Sequence, residues 1–189
     1  MKKYIVEFFA EGFEETEAIS PLDLLRRAGI PVVTAGVGSA VVRGSHGITV
    51  TCDTESSRVS LDEIAGVILP GGMPGTLNLE ASSDVISAVK YASSKNLPVC
   101  AICAAPMILG KLGLLRGKRA VCFPGFENEL KGAVASKKRV ETDGKVTTAV
   151  GMGAAYEFGL ALLALLKGKE TAERVRVSSL IPDAIAIPD

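Results

Sequence analysis

The sequence predicts an α/β fold in which a mostly parallel sheet carries helices on both faces. Three observations predict it. Apolar strand-like runs alternate along the chain with amphipathic helical ones. Two of those runs, GVILPGG at 66–72 and LPVCAIC at 97–103, read as central strands. The chain is 48% apolar over 189 residues, enough for one domain, residues 1–189, with a sizeable core.

YIVEFFA at 4–10 is the first strand. EETEAISPLDLLRRAG at 14–29 follows as a helix, with Ala18, Leu22, Leu25 and Ala28 near helical spacing and Gly29 as its stop. Pro21 removes the backbone bond to the Glu17 carbonyl, so a kink is expected there. PVVTAGV at 31–37 is the second strand. VVRG at 41–44 and GITVTCD at 47–53 form a hairpin around the only histidine, His46, with Gly44 and Gly47 as breakers. After the strand GVIL, Ser82 or Ser83 caps a helix that turns Val85, Ile86, Val89 and Ala92 inward. LPVCAIC leads into a short helix through Leu109, then a strand at KRAVCF (118–123). KRVETDGKVTTAV (138–150) is a hairpin signalled by Asp143-Gly144, and a long helix starts after Gly153.

Several classes of function are excluded by composition. The 21 basic and 21 acidic residues cancel, so no overall field draws the chain to nucleic acid or a membrane surface; small solutes are the expected partners. KKR at 137–139 reads as a solvated strand end. The apolar run FGLALLALL at 158–166 is under half of the ~20 residues a membrane span needs. MKKYIVEFFAEGFEE runs into acidic residues with no small-residue cleavage site, and four sparse cysteines suit free thiols, so a cytoplasmic location is expected.

In an open α/β sheet, ligands collect beyond the carboxyl ends of the strands. The candidates there are Glu14, Glu15 and Glu17 after the first strand, Gly71 and Gly72 after VILP, and Cys103 after PVCAI. A cysteine where a strand turns sharply into a helix faces unpaired amides that lower its pKa, and Cys103 fits that place. Ala104 and Ala105 permit the turn, and Pro106 suits a first helical turn. Cys100, three residues earlier on extended chain, lies about 10 Å away on the opposite face, too far for a disulfide, and reads as packed. Zinc finds no second close pair of ligands. Cys52 and Cys122 read as core.

ILPGGMPGTLNL, AICAAP, GFEETEA and GMGAAYEFGLALLALL together resemble the ThiJ/PfpI superfamily, within it the branch of the parkinsonism-associated protein deglycase, and in the same order along nearly the whole chain. The resemblance implies a flavodoxin-like three-layer sandwich, a homodimer, and a reactive cysteine on a nucleophile elbow paired with a glutamate of the first helix. By motif position these are Cys103 and Glu17. The oxyanion-type donors fall on the Gly72 and Ala104 amides, and Arg27 matches a basic residue that the dimer brings near the pocket. Gly71, His46, Phe123 and Gly151 complete the candidate pocket. Two departures matter. AVCFPGF sets Phe123 where many relatives carry a histidine, and Ala104 stands where the protease-like branch has one, which argues against peptidase activity.

A carboxyl beside a thiol helps only if protonated, since it then donates to sulfur, and burial would keep it so. By spacing alone, Glu17 is instead one more acid at a helix start; the motif match favours the paired role. Two functions follow. In the first, Cys103 attacks methylglyoxal, glyoxal or their early adducts, as in a glyoxalase III-like or deglycase enzyme, with Glu17 moving protons and no metal or organic cofactor. In the second, Cys103 is oxidised to sulfenic or sulfinic acid in a redox sensor or stress chaperone. A third, lower-ranked reading gives Arg27 and His46 an anionic metabolite to hold.

Overall fold

The apolar runs do become strands, and their order along the sheet sets out the site. The computed structural model describes residues 3–188. Its elements are β1 (Tyr4–Phe9), α1 (Glu15–Arg27), β2 (Val32–Gly36), β3 (Val41–Arg43), β4 (Thr49–Thr51), β5 (Thr54–Glu55) and β6 (Ile64–Leu69). There follow α2 (Gly75–Ala81), α3 (Ser83–Ser94), β7 (Val99–Ile102), α4 (Pro106–Lys111), β8 (Arg119–Ala120) and β9 (Val134–Ala135). The chain continues through β10 (Val140–Asp143), β11 (Val146–Ala149), α5 (Ala155–Lys167) and α6 (Lys169–Ser178).

Seven strands form one sheet in the order β10-β11-β7-β6-β1-β2-β5, parallel throughout except for β10 against β11. Five of the six parallel strands, β2, β1, β6, β7 and β11, numbered among themselves along the chain, stand in the flavodoxin-like order 2-1-3-4-5, with the short β5 added beyond β2. Leu22, Leu25, Phe158 and Leu162 of α1 and α5 fill one face with Ile5, Phe9, Ile68 and Ile102. Val85, Val89, Ile108 and Leu109 of α3 and α4 fill the other with Val6, Phe8, Val67 and Leu69. Successive strand residues thus feed opposite cores, as the two-residue pleat requires. Among the described residues no helix is long and apolar enough to cross a membrane.

Local chemistry accounts for where the elements differ from expectation. Pro21 does not interrupt α1, which runs unbroken across it. It lies against α5 at Gly159, where a Cβ would come within 3.1 Å of Pro21 Cα and 2.7 Å of Leu24 Cδ1, so the missing side chain lets the two helices close up. The long C-terminal helix is two helices, divided by Gly168 at φ +87°. Asp143 pairs with Val146, so the β10–β11 turn is centred on Gly144 and Lys145, one residue beyond the expected pair. KRAVCF supplies only the two residues of β8, which pair with β9 away from the main sheet. The pattern predicts no helix before Ser82, yet α2 forms there; Ser82 then caps α3 by accepting from the Val85 N–H.

One residue in the core opposes folding. Glu7, in the middle of β1, is fully buried and neither carboxyl oxygen has a hydrogen-bond partner. Burial pushes its pKa well above the usual carboxylate range, with Arg26 pulling weakly the other way. The folded state therefore holds a proton that the unfolded chain releases from about pH 4.5 upward, and stability falls as pH rises towards the folded value. Glu7→Leu removes this titration. The stability difference between wild type and variant, from urea unfolding at pH 4 to 9, is expected to widen in the variant's favour above pH 5, with a slope of up to about 1.4 kcal/mol per pH unit. A pH-independent difference would show that Glu7 is ionised in the fold.

Candidate functional site

β1, β6 and β7 are parallel neighbours, so their carboxyl ends open onto the same edge of the sheet. At the end of β7 the chain turns through Cys103, a non-glycine residue at φ +65°. That left-handed conformation is costly for an L side chain and survives only where the surroundings over-determine it. Here they do. The Cys103 N–H donates to Ala149 O at 2.9 Å, and the Cys103 carbonyl accepts from the Phe123 N–H at 2.8 Å. α4 begins at Pro106, immediately beyond the bend, and the half-buried sulfur meets the backbone N–H groups of Gly72 and Ala104. The elbow and both expected amide donors are present.

Glu17 reaches the same point from the first turn of α1. It is 1% exposed, its Oε2 accepts from the Gly71 N–H at 3.0 Å, and its carboxyl bonds the Cys103 side chain and the Met152 N–H. The three neighbouring glutamates are thereby distinguished. Glu14 is the cap of α1, accepting from the Glu17 N–H at 2.6 Å. Glu15 is buried against the β3–β4 turn, where it accepts from the His46 and Ile48 N–H groups and pairs with the imidazole. Only Glu17 faces sulfur.

Glycine is required where the pair meets. A Cβ at Gly71 would lie 2.6 Å from Cys103 Cβ and 2.6 Å from Glu17 Oε2. Gly72, at φ +90°, has the Glu14 N–H group's nitrogen 2.4 Å from where its own Cβ would be. Both positions are closed to any side chain.

Burial raises the Glu17 pKa to about 7, with the Glu14 charge adding to it and the Cys103, Gly71 and Met152 hydrogen bonds opposing it. The thiol moves against the expectation from its place at a helix start. Burial, then the Glu17 carboxylate, push Cys103 up to about 12, while the Gly72 and Ala104 amides pull down. The physical reason is that the two groups titrate as a pair. The first proton leaves near 7 and the second near 12, and in between one proton is shared. Thiolate beside carboxylic acid carries the same charge as thiol beside carboxylate; the Gly72 and Ala104 amides favour the former and the Gly71 and Met152 amides the latter, so both forms are supported by donors.

The remaining candidates fall at different distances from this pair. Gly151 adjoins it: a Cβ there would lie 3.7 Å from Glu17 Oε1 and 3.2 Å from the Phe123 ring. Phe123 is 47% exposed, with its ring beside Gly151. His46 is one glutamate removed, its Nδ1 2.9 Å from Glu15 Oε2 and its pKa raised by that carboxylate. Arg27, expected near the pocket through a partner subunit, stands apart from it in the single chain. It lies ten residues along α1 from Glu17, about 15 Å of helix, ion-paired with Asp23 on a different cavity of about 420 Å³ lined also by Tyr156 and Leu180. Within one chain it does not reach the pocket. Cys52, Cys100 and Cys122 are buried free thiols. Glu14, Glu15 and His46 bring ligand atoms within 4.8 Å of one another, but the Glu15 carboxylate is already occupied by two amides and the imidazole. The Met152 and Phe123 backbone donors escaped sequence reasoning, because a main-chain N–H carries no residue signature.

The shared proton has a measurable signature. Alkylation of Cys103 by iodoacetamide is expected to rise in two steps, one near pH 7 and one far above the free-thiol range, and Glu17→Gln removes the step near 7. A single inflection at the ordinary free-cysteine value in the wild type would disprove the coupling.

Residues 3–165 match the DJ-1/PfpI family. Protein dj-1beta of Drosophila melanogaster is 36% identical over 184 residues, covering 96% of this chain and 98% of that protein. A deglycase of Pyrococcus abyssi is 34% identical over 125 residues, covering 66% of this chain and 74% of that protein. The solved structure of oxidised Toxoplasma gondii DJ-1 superposes with a TM-score of 0.90 at 34% identity, over 94% of this chain and 98% of that one. With the elbow, the glycine turn and the first-helix glutamate assembled on a fold this similar, the chain belongs to the DJ-1/PfpI family.

Proposed function

We propose that this chain is a cysteine-dependent glyoxalase or deglycase acting on methylglyoxal, glyoxal or their early adducts. The observation that carries the reading is the buried Glu17 carboxyl hydrogen-bonded to the strained Cys103 under two backbone donors. A relative named as a deglycase supports the reaction class.

The residues suit each step. Cys103 thiolate attacks the aldehyde carbon, forming a C–S bond, and the oxygen that becomes negative is met by the Gly72 and Ala104 N–H groups and takes the Glu17 proton. Glu17, now a carboxylate, removes the hydrogen from that carbon as a proton and returns it to the adjacent carbon through an enediol, while the hydroxyl proton on the first carbon's oxygen passes to the oxygen of its neighbour. The first carbon is oxidised to a thioester while its neighbour is reduced from ketone to alcohol, so the electrons balance within the substrate. Water then cleaves the C–S bond, releasing lactate from methylglyoxal or glycolate from glyoxal and restoring the thiol. A pKa near 7 lets Glu17 serve as acid and base in turn.

The redox-sensor reading has one observation in its favour: the Toxoplasma gondii relative was solved in an oxidised state. The two separate by product. Lactate formation from methylglyoxal is expected in the wild type, abolished in Cys103→Ala and reduced at least ~100-fold in Glu17→Gln. A wild type that forms no lactate yet gains oxygen at Cys103 under mild peroxide would favour the sensor.

The reading includes a homodimer. The cavity beside Arg27 is rimmed by Tyr156 and Leu180, 48% and 89% exposed, an apolar face suited to a second copy. Sedimentation is expected to give a dimer for the wild type and a shift towards monomer in Leu180→Glu; a monomeric wild type removes the partner from the scheme.

A further inference from the structure

Three large apolar residues whose side chains water reaches follow the backbone donors and turns that hold the Cys103–Glu17 pair, and the Phe123 ring is the one placed beside Glu17. Phe123 is 47% exposed, Met152 54% and Met73 45%. Each is anchored to the pair through backbone. The Phe123 N–H donates to the Cys103 carbonyl at 2.8 Å, the Met152 N–H donates to the Glu17 carboxyl, and Met73 directly follows Gly72, whose N–H meets the sulfur. The Phe123 ring and Glu17 Oε1 converge over Gly151, where the absent side chain leaves both within 4 Å of one point.

An aromatic ring held in water forgoes about 25 cal/mol for each Å² that a bound apolar group could cover. That uncovered surface lies beside the nucleophile, not on a remote face. Glu14 acts on Glu17 as a like charge, the His46 imidazole is already paired with Glu15, and the Arg139 guanidinium beside Met152 is paired with Glu157. A neutral apolar substrate group there meets the ring.

We propose that Phe123 is the specificity-determining wall of this site: its ring receives the substituent on the carbonyl that Cys103 attacks. It favours α-oxoaldehydes carrying an aryl or branched alkyl group over glyoxal. The assignment of substrate class rests on the reading of Cys103 as a carbonyl nucleophile, and two measurements keep the two apart.

The first needs no turnover. Cys103 is alkylated with phenacyl bromide and with bromoacetone, which share a bromomethyl ketone and differ in phenyl against methyl, each rate being divided by that of a small free thiol at the same pH. The normalised phenyl preference is expected to be about tenfold in the wild type, to approach one in Phe123→Ala, and to be largely kept in Phe123→Leu. The second compares kcat/KM for phenylglyoxal and methylglyoxal, whose ratio is expected to fall about tenfold in Phe123→Ala and less in Phe123→Leu. Equal ratios in wild type and Phe123→Ala overturn the wall while leaving the enzyme reading intact. A wild type that shows the alkylation preference but turns over neither oxoaldehyde overturns the enzyme reading, and the substrate assignment with it.

Discussion

The contact between the Glu17 carboxyl and the Cys103 sulfur is the constraint around which the surrounding structure is arranged. Holding an acid against a thiol inside a protein is unfavourable if both are charged, because nothing in a low-dielectric site screens them. The fold meets that condition by burying the carboxyl until its proton is retained to near neutrality, and by aiming main-chain amides at the sulfur. Glu14 adds to the effect from outside. As the cap of α1 it satisfies a helix N–H, and its charge makes ionisation of Glu17 less favourable.

The pair in turn dictates glycine in the β6 turn. Cys103 and the Glu17 carboxyl come together across Gly71, leaving no volume for a methyl group, and Gly72 brings its amide to sulfur in a conformation other residues avoid. The elbow itself is held by hydrogen bonds to Ala149 and Phe123, which belong to two separate later segments. Parallel strands with their ends aligned are what allow residues so distant in sequence to meet. The same alignment isolates Arg27, since the helix that delivers Glu17 to the strand ends carries Arg27 away from them.

How much of this is readable in the chain depends on whether the cause is local. The sheet, its two covered faces and the sharp turn at Cys103 follow from apolar periodicity and from small residues at a strand end, and they are found where the pattern puts them. Glu17 is different. Three glutamates within four positions look alike as sequence, and what separates them is tertiary: an amide of the β6 turn for Glu17, a hairpin 31 residues away for Glu15. The same holds for the thiol. Its place before a helix argues for a lowered pKa, but α4 has only six residues and burial beside a carboxylate outweighs the amides. Pro21 stays within an unbroken α1, and its place against Gly159 of α5 is a tertiary contact that no local pattern shows.

Anchoring the bend at Cys103 to Ala149 has a consequence for the chain's early life. A ribosome-bound fragment ending before β11 contains the cysteine, the glutamate and both glycines, yet lacks the carbonyl that holds the bend in its left-handed state. Sulfur in such a fragment keeps its acid and amide neighbours in the sequence but only one of the bend's two anchors, the Phe123 N–H. The second anchor arrives when the last parallel strand docks, so the reactivity of this thiol can serve as a chemical clock for completion of the sheet.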